Sequence, residues 1–202
     1  MKLFFSPAAC SLAPHIVLRE AGLPFSLEKI DTAKHLTSAG ADYYAINPKG
    51  QVPVLELDTG ERLTEGPVIA QYIADQAKNT TLMPAAGTLA RYRVMEWQSY
   101  ITSELHKSFT PLFNPGFEAT AKSLHATLLR KKYEWVNGCL TGRHYLTGNS
   151  FTAADAYLFT VTHWAKHVGL DLSDLADLQS FLGRVAARPA VREAMKAEGL
   201  MA

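Results

Sequence analysis

The chain has 202 residues, enough for one large domain or two small ones, and its 48% hydrophobic and 19% charged residues exclude a disordered or fibrous protein. A formal net charge of +1 with no lysine or arginine cluster gives no electrostatic hold on nucleic acid or a membrane surface. No apolar run is long enough to cross a bilayer, the opening Met1-Lys2-Leu3-Phe4-Phe5 turns polar at Ser6 without a cleavage pattern, and two cysteines, Cys10 and Cys139, fit a reducing, cytoplasmic compartment.

Residues 2–5 form a short apolar run ended by Ser6-Pro7, which predicts a strand entering a loop. A helix is predicted over 11–21, with Ser11 as its cap, Pro14 tolerated in the first turn and Gly22 ending it. Residues 25–30 alternate apolar and polar, hence a second strand. Asn47-Pro48-Lys49-Gly50 is turn chemistry, and 52–57 with 62–64 read as a hairpin about Asp58-Thr59-Gly60-Glu61. Gly66-Pro67 opens a helix through Ala77 with Val68, Ile69, Tyr72 and Ile73 as its apolar stripe. The order β-α-β then β-β-α is the thioredoxin-like arrangement, assigned to 1–79.

Residues 80–87 read as a linker, and 88–202 lack strand alternation, which predicts an all-helical second domain. Thr88 can cap a long helix to about Phe113, with Pro111 kinking or ending it. Further helices are predicted over 119–139, 152–168, 174–187 and 190–197.

Three spots in the first domain carry chemistry. Cys10 precedes the first helix, whose free amides are expected to lower a thiol pKa from about 8.5. Its follower is Ser11-Leu12-Ala13 rather than a second thiol, so disulfide chemistry there needs an external thiol; the competing reading is a plain packing residue. Val52-Pro53 stands where a thioredoxin-like order carries a cis bond, which turns the Val52 amide and carbonyl outward to pair with an extended peptide, although most X-Pro bonds are trans. Glu65-Gly66 opens the next helix, where free amides hold a carboxylate and Glu65 accepts from an ammonium; ordinary capping is the alternative. In the second domain Val94, Trp97, Ile101, Leu105, Phe109 and Leu112 form a core stripe. Ser99, Ser103 and His106 fall on nearly the opposite side, a cleft wall with a proton-carrying imidazole or else a solvated face.

These residues in this order resemble the beta class of bacterial glutathione transferases: Cys10-Ser11, Asn47 to Pro53, Leu63-Thr64-Glu65-Gly66, Ser103 to Lys107, and Gly148 to Asp155 with Thr152 as N-cap and Asp155 reaching back. The likeness runs through Arg188-Pro189 and Glu198-Gly199-Leu200. It implies a homodimer in which each subunit binds glutathione as co-substrate, with no tightly bound cofactor or metal beside it. Cys10 would contact the glutathione sulfur and form a mixed disulfide with it. Val52, before Pro53 of the glutathione-binding set, would pair with the cysteinyl backbone, Gln51 would lie beside that strand, and Glu65 with Gly66 would hold the γ-glutamyl end. Ser103, Glu104, Leu105 and His106 would approach from the helical domain, serving the neighbouring subunit's site as well, with Ser11 and Lys107 near the sulfur.

Two positions depart from the family pattern. His35 stands where lysine is usual and Ser99 where asparagine is, so the glycyl carboxylate falls to His35 or Lys34, and Ser99 reaches through water. Phe5 has no hydroxyl where other classes place a catalytic tyrosine, which leaves sulfur activation to Cys10, Ser11 and His106. The implied activity joins the glutathione thiol to a small hydrophobic electrophile in detoxification, with reduction of mixed disulfides through Cys10. A non-catalytic, partner-binding relative would be expected to lose the cysteine and the Glu65 contact, and both are present. Cys139 reads as core, and His163 with His167 lack a third metal ligand.

Overall fold

The computed structural model describes residues 1–201. The N-terminal part is a mixed sheet of five strands: β1 (Lys2–Phe5), β2 (Ser26–Asp31), β3 (Leu36–Thr37), β4 (Val54–Glu56) and β5 (Arg62–Thr64), in the spatial order β3-β2-β1-β4-β5. β1 and β2 are parallel; the other pairs are antiparallel. Helices α1 (Leu12–Ala21) and α2 (Gly66–Gln76) belong to the same part. β3 has two residues, too short to leave an alternation in the sequence.

Strand alternation sorts the core. Leu3 and Phe5 on β1 join the main core, whereas Phe4 between them joins Ile30, Tyr43 and Val54 in a smaller one. Each such burial contributes roughly 1.5–3 kcal/mol. Leu12 to Leu18 of α1 are all buried, because that helix packs against α2 and also against two helices of the second domain.

The C-terminal part is helical: α3 (Leu89–Tyr100), α4 (Thr110–Phe113), α5 (Ala119–Leu140), α6 (Ala153–Thr162), α7 (Ala176–Ala186) and α8 (Pro189–Ala197). Every residue of α6 is buried, and Thr160 and Thr162 return their hydroxyls to the Ala156 and Leu158 carbonyls. Thr152 is its N-cap. The Asp155 carboxylate accepts from the Thr152 amide and hydroxyl, both at 2.8 Å, and from the Leu146 amide at 2.9 Å. Helices α6 and α8 are the elements that meet α1.

Three predicted elements come out differently. The helix over 88–113 is α3, a wide π turn (Ile101–His106), a 3-10 turn (Lys107–Phe109) and then α4. A π turn inserts the equivalent of one residue and rotates the downstream part of the helix by about 100°. The helix over 152–168 stops at Thr162, and a 3-10 turn (Ala165–Val168) closes on Gly169 at φ 67°. Ser11 does not cap α1: the chain already curls at Ala9 and Cys10, whose carbonyls accept from Leu12 and Ala13, so Ser11 has helical dihedrals. Its buried hydroxyl instead donates to the Ser6 carbonyl and accepts from the Ser6 amide, each at 3.2 Å.

Candidate functional site

A polar cavity of about 320 Å³ lies between the two parts, within the range of ligand clefts of roughly 300–1,000 Å³. Cys10, Val52, Pro53 and Glu65 line it from the sheet side, and Thr102, His106, Lys107 and Tyr157 from the helical side.

The floor is the turn before α1. The Cys10 thiol donates to the Val52 carbonyl at 3.2 Å, and the Val52–Pro53 bond is cis. Burial pushes the thiol up to about 11, with Glu65 adding to the effect. The amides of Cys10 and Ser11 and the Lys107 charge pull the other way and lose. The expected depression by the helix start is therefore absent, because desolvation of this pocket outweighs it.

The Asn47–Gly50 turn aims the rim. Asn47 Nδ2 and the Tyr43 hydroxyl both donate to the Gln51 carbonyl, at 2.7 and 2.9 Å. Gly50 sits at φ 64°, and a Cβ there would stand 2.7 Å from Tyr44 and 2.9 Å from His35, so only glycine fits. His35 stacks on Tyr44 at 4.4 Å between ring centres, and its buried Nδ1 has no partner. It supports the rim from behind rather than lining the cavity.

The far wall is the start of α2. Glu65 holds φ 69° with ψ 108°, a sparsely populated positive-φ conformation outside the left-handed helical well that costs a non-glycine residue on the order of 1–3 kcal/mol. Its carboxylate accepts from Lys49 Nζ at 2.5 Å, and Lys49 also donates to Thr64 Oγ1 at 3.0 Å.

From the helical side His106 Nδ1 pairs with the Tyr157 hydroxyl at 2.6 Å, and its ring stands edge-on to Trp164 at 4.8 Å. Burial pushes the imidazole down to about 4, with Lys107 helping and Glu65 opposing, so it is neutral at physiological pH. The remaining expected residues separate. Lys107 lines the cavity and Leu105 is fully buried in the core. Glu104 pairs with Lys132 at 3.0 Å, while Ser99 and Ser103 are exposed on the outer face. Ideal periodicity aligns Ser99 and Ser103 with His106, but here it is Thr102, four residues before His106, that shares the cavity with it. Ser11 is locked to Ser6 and touches neither this cavity nor its neighbour.

That neighbour, a second cavity of about 710 Å³, opens beside the first, with the Ser6–Cys10 loop on one wall and Phe109, Phe113 and Trp164 on the other. Cys10, Thr32 and His106 line both cavities. A sulfur at Cys10 thus stands where a polar, charged cleft meets an aromatic one. Elsewhere, His163 Nδ1 is turned to the Phe159 carbonyl at 2.8 Å, and no group of three or more metal-ligating side chains gathers among the described residues.

Sequence reasoning missed Lys49, Thr102 and Tyr157. Lys49 was within reach, since it lies inside the turn motif. Tyr157 meets His106 across 51 positions on a different helix, which no local pattern announces.

Residues 8–76 match the family "Glutathione S-transferase, N-terminal domain" and residues 118–197 match "Glutathione S-transferase, C-terminal domain". Glutathione S-transferase GstA of Escherichia coli O157:H7 is 48% identical, over 99% of this chain and 100% of that protein. Among solved structures, the bacterial beta class glutathione S-transferase of Sphingomonas chungbukensis superposes with a TM-score of 0.96 at 46% identity, covering 100% of both chains. A sphingomonad glutathione S-transferase complexed with glutathione gives 0.95 at 47% identity, again over 100% of both.

Proposed function

The chain belongs to the glutathione S-transferase family, and we propose that it joins the thiol of glutathione to the electrophilic carbon of a small hydrophobic substrate. The single observation that carries this is the sharing of Cys10 and His106 by a polar and an aromatic cavity, which puts a thiol and an electrophile within reach of each other. Relatives of this family act on glutathione, and one similar structure is a complex with it.

In this reading the tripeptide's cysteinyl amide takes the Val52 carbonyl from Cys10, and the Val52 amide pairs with its carbonyl. The γ-glutamyl ammonium meets Glu65, its carboxylate meets the first amides of α2 at Gly66, and Lys49 is released to the tripeptide's negative charge. Gln51 flanks the peptide on the Pro53 side. Cys10, still protonated, donates its S–H to the glutathione sulfur. His106 adds a second donor when Tyr157 donates to Nδ1, which leaves Nε2–H for the cavity. Both donors favour the thiolate, whose proton leaves to solvent. The thiolate then attacks carbon: a carbon–sulfur bond forms, the bond to the leaving group breaks, and that group departs with its electron pair.

We further propose reduction of glutathione mixed disulfides. The Cys10 thiolate attacks the glutathione sulfur and the partner thiolate leaves. A second glutathione thiolate then attacks the glutathione sulfur of the adduct, breaking its bond to Cys10 and releasing oxidised glutathione and the Cys10 thiolate. A thiol near 11 is rarely ionised at neutral pH, so conjugation ranks first. By family resemblance we also infer a cytoplasmic homodimer in which the stretch Ser103 to His106 serves the neighbouring subunit's site as well. Exposed Val68, Leu89 and Tyr92 on α2 and α3 provide apolar surface for such pairing, and sedimentation at the mass of one chain would rule it out.

The test is Cys10→Ala, assayed with 1-chloro-2,4-dinitrobenzene and with the mixed disulfide of glutathione and 2-mercaptoethanol. Disulfide reduction is expected to vanish and conjugation to persist within about tenfold. Unchanged reduction refutes the nucleophile, and absence of glutathione-dependent conjugation in the parent refutes the function.

A further inference from the structure

The loop carrying Cys10 is held by the other end of the chain. Ala8 has φ 62°, left-handed for a residue with a side chain, so something outside the loop must keep it there. Both of its polar backbone groups are taken by side chains of the helical domain. Its amide donates to Glu198 Oε2 at 3.1 Å, and its carbonyl accepts from the Trp164 indole at 2.7 Å. Glu198 closes α8 and its side chain is wholly buried.

The second oxygen of that carboxylate reaches α1. Glu198 Oε1 lies 2.8 Å from Nδ1 of His15, which is equally buried, and Arg19 Nε lies 3.0 Å from His15 Nε2. Arginine can only donate, so His15 Nε2 accepts and Nδ1 carries the proton toward Glu198. The carboxylate therefore receives two donors, one from the helix after Cys10 and one from the loop before it. An acceptor-only side chain is what such a junction requires.

We propose that Glu198 is a positioning residue for Cys10: by joining the Ala8 amide to His15, it sets the shape of the Ser6–Cys10 loop, and with it the place of the sulfur and the near wall of the aromatic cavity. The inference rests on the role given to Cys10 above. Glu198 bonds to Ala8 and His15, not to Val52 or Glu65, so the tripeptide's backbone and γ-glutamyl contacts do not pass through this junction.

Glu198→Ala in the full chain tests it. The rate at which iodoacetamide alkylates Cys10, followed by the mass of the Cys10 peptide so that Cys139 does not interfere, should change by more than about threefold at one pH, while the calorimetric Kd for glutathione stays within about threefold. An unchanged alkylation rate overturns the proposal even if the melting temperature falls. So does a loss of glutathione affinity in step with the alkylation change, which marks general collapse. Should the variant not fold, hydrogen exchange of the parent decides: the Ala8 amide should exchange at least about a hundredfold more slowly than an open loop amide, and free exchange overturns the idea. Alkylation and exchange need no glutathione. A parent that fails to bind the tripeptide would sink the proposed function and still leave this junction open to judgement.

Discussion

In this structure Cys10 is a hydrogen-bond donor before it is anything else, and its surroundings keep the proton on. Its folded value of about 11 lies above the ordinary value of 9.0, so the protonated form is the one the fold supports. That contribution is complete below about pH 9 and is lost as pH rises through about 11. Alkylation of Cys10 by iodoacetamide, free of glutathione, should accordingly rise with a midpoint near 11. A midpoint well below about 8.5 would show that the helix start governs after all. The place of Cys10 was legible from sequence and its acidity was not. Position comes from a strand, a loop and a helix in succession, whereas the pKa depends on how Val52, Glu65 and the helical domain close over the sulfur. Glu65 and Val52 were legible for the same local reason. Ser11 was misjudged, since a serine before a helix reads as a cap whether or not the chain has begun to curl.

Most elements could be drawn from sequence because their signals are local: Pro67 and Gly66 open α2, Thr152 opens α6, and Gly22 closes α1 at φ 66°. The π turn was not legible, because Ile101, Leu105 and Phe109 keep a spacing of four through it, which reads as ordinary helix. The start of α6 carries its own prediction. Asp155 is fully buried, and burial outweighs its three hydrogen bonds, pushing it up to about 6 from 3.8. With the folded value above the unfolded one, its contribution is whole below about pH 4 and lost as pH rises through about 6, a swing of roughly 3 kcal/mol. Thermal unfolding of the parent and of Asp155→Asn between about pH 4 and pH 7 checks this. The parent should lose stability relative to the variant across that window, and parallel curves would contradict it.

At the scale of the whole molecule, the two parts meet along α1, which packs on α2 from its own side and on α6 and α8 from the other. Arg188 forks onto Glu20 at 2.6 and 2.8 Å across the same seam. The site sits in that seam, so each half supplies what the other lacks: the sheet side offers a peptide-pairing edge and a helix mouth, and the helical side offers a neutral imidazole and an aromatic wall. Order of elements and the family likeness were enough to expect such a seam. The His106–Tyr157 pair and the Glu198 junction were out of reach because their partners lie far apart along the chain. The central claim is that the polar cavity of this seam holds glutathione, and calorimetric titration of the full chain tests it most directly. Saturating heat is predicted at or below millimolar glutathione, with about one tripeptide per chain and at least about tenfold weaker binding in Glu65→Gln. No heat at millimolar glutathione, or an isotherm untouched by Glu65→Gln, would contradict the account.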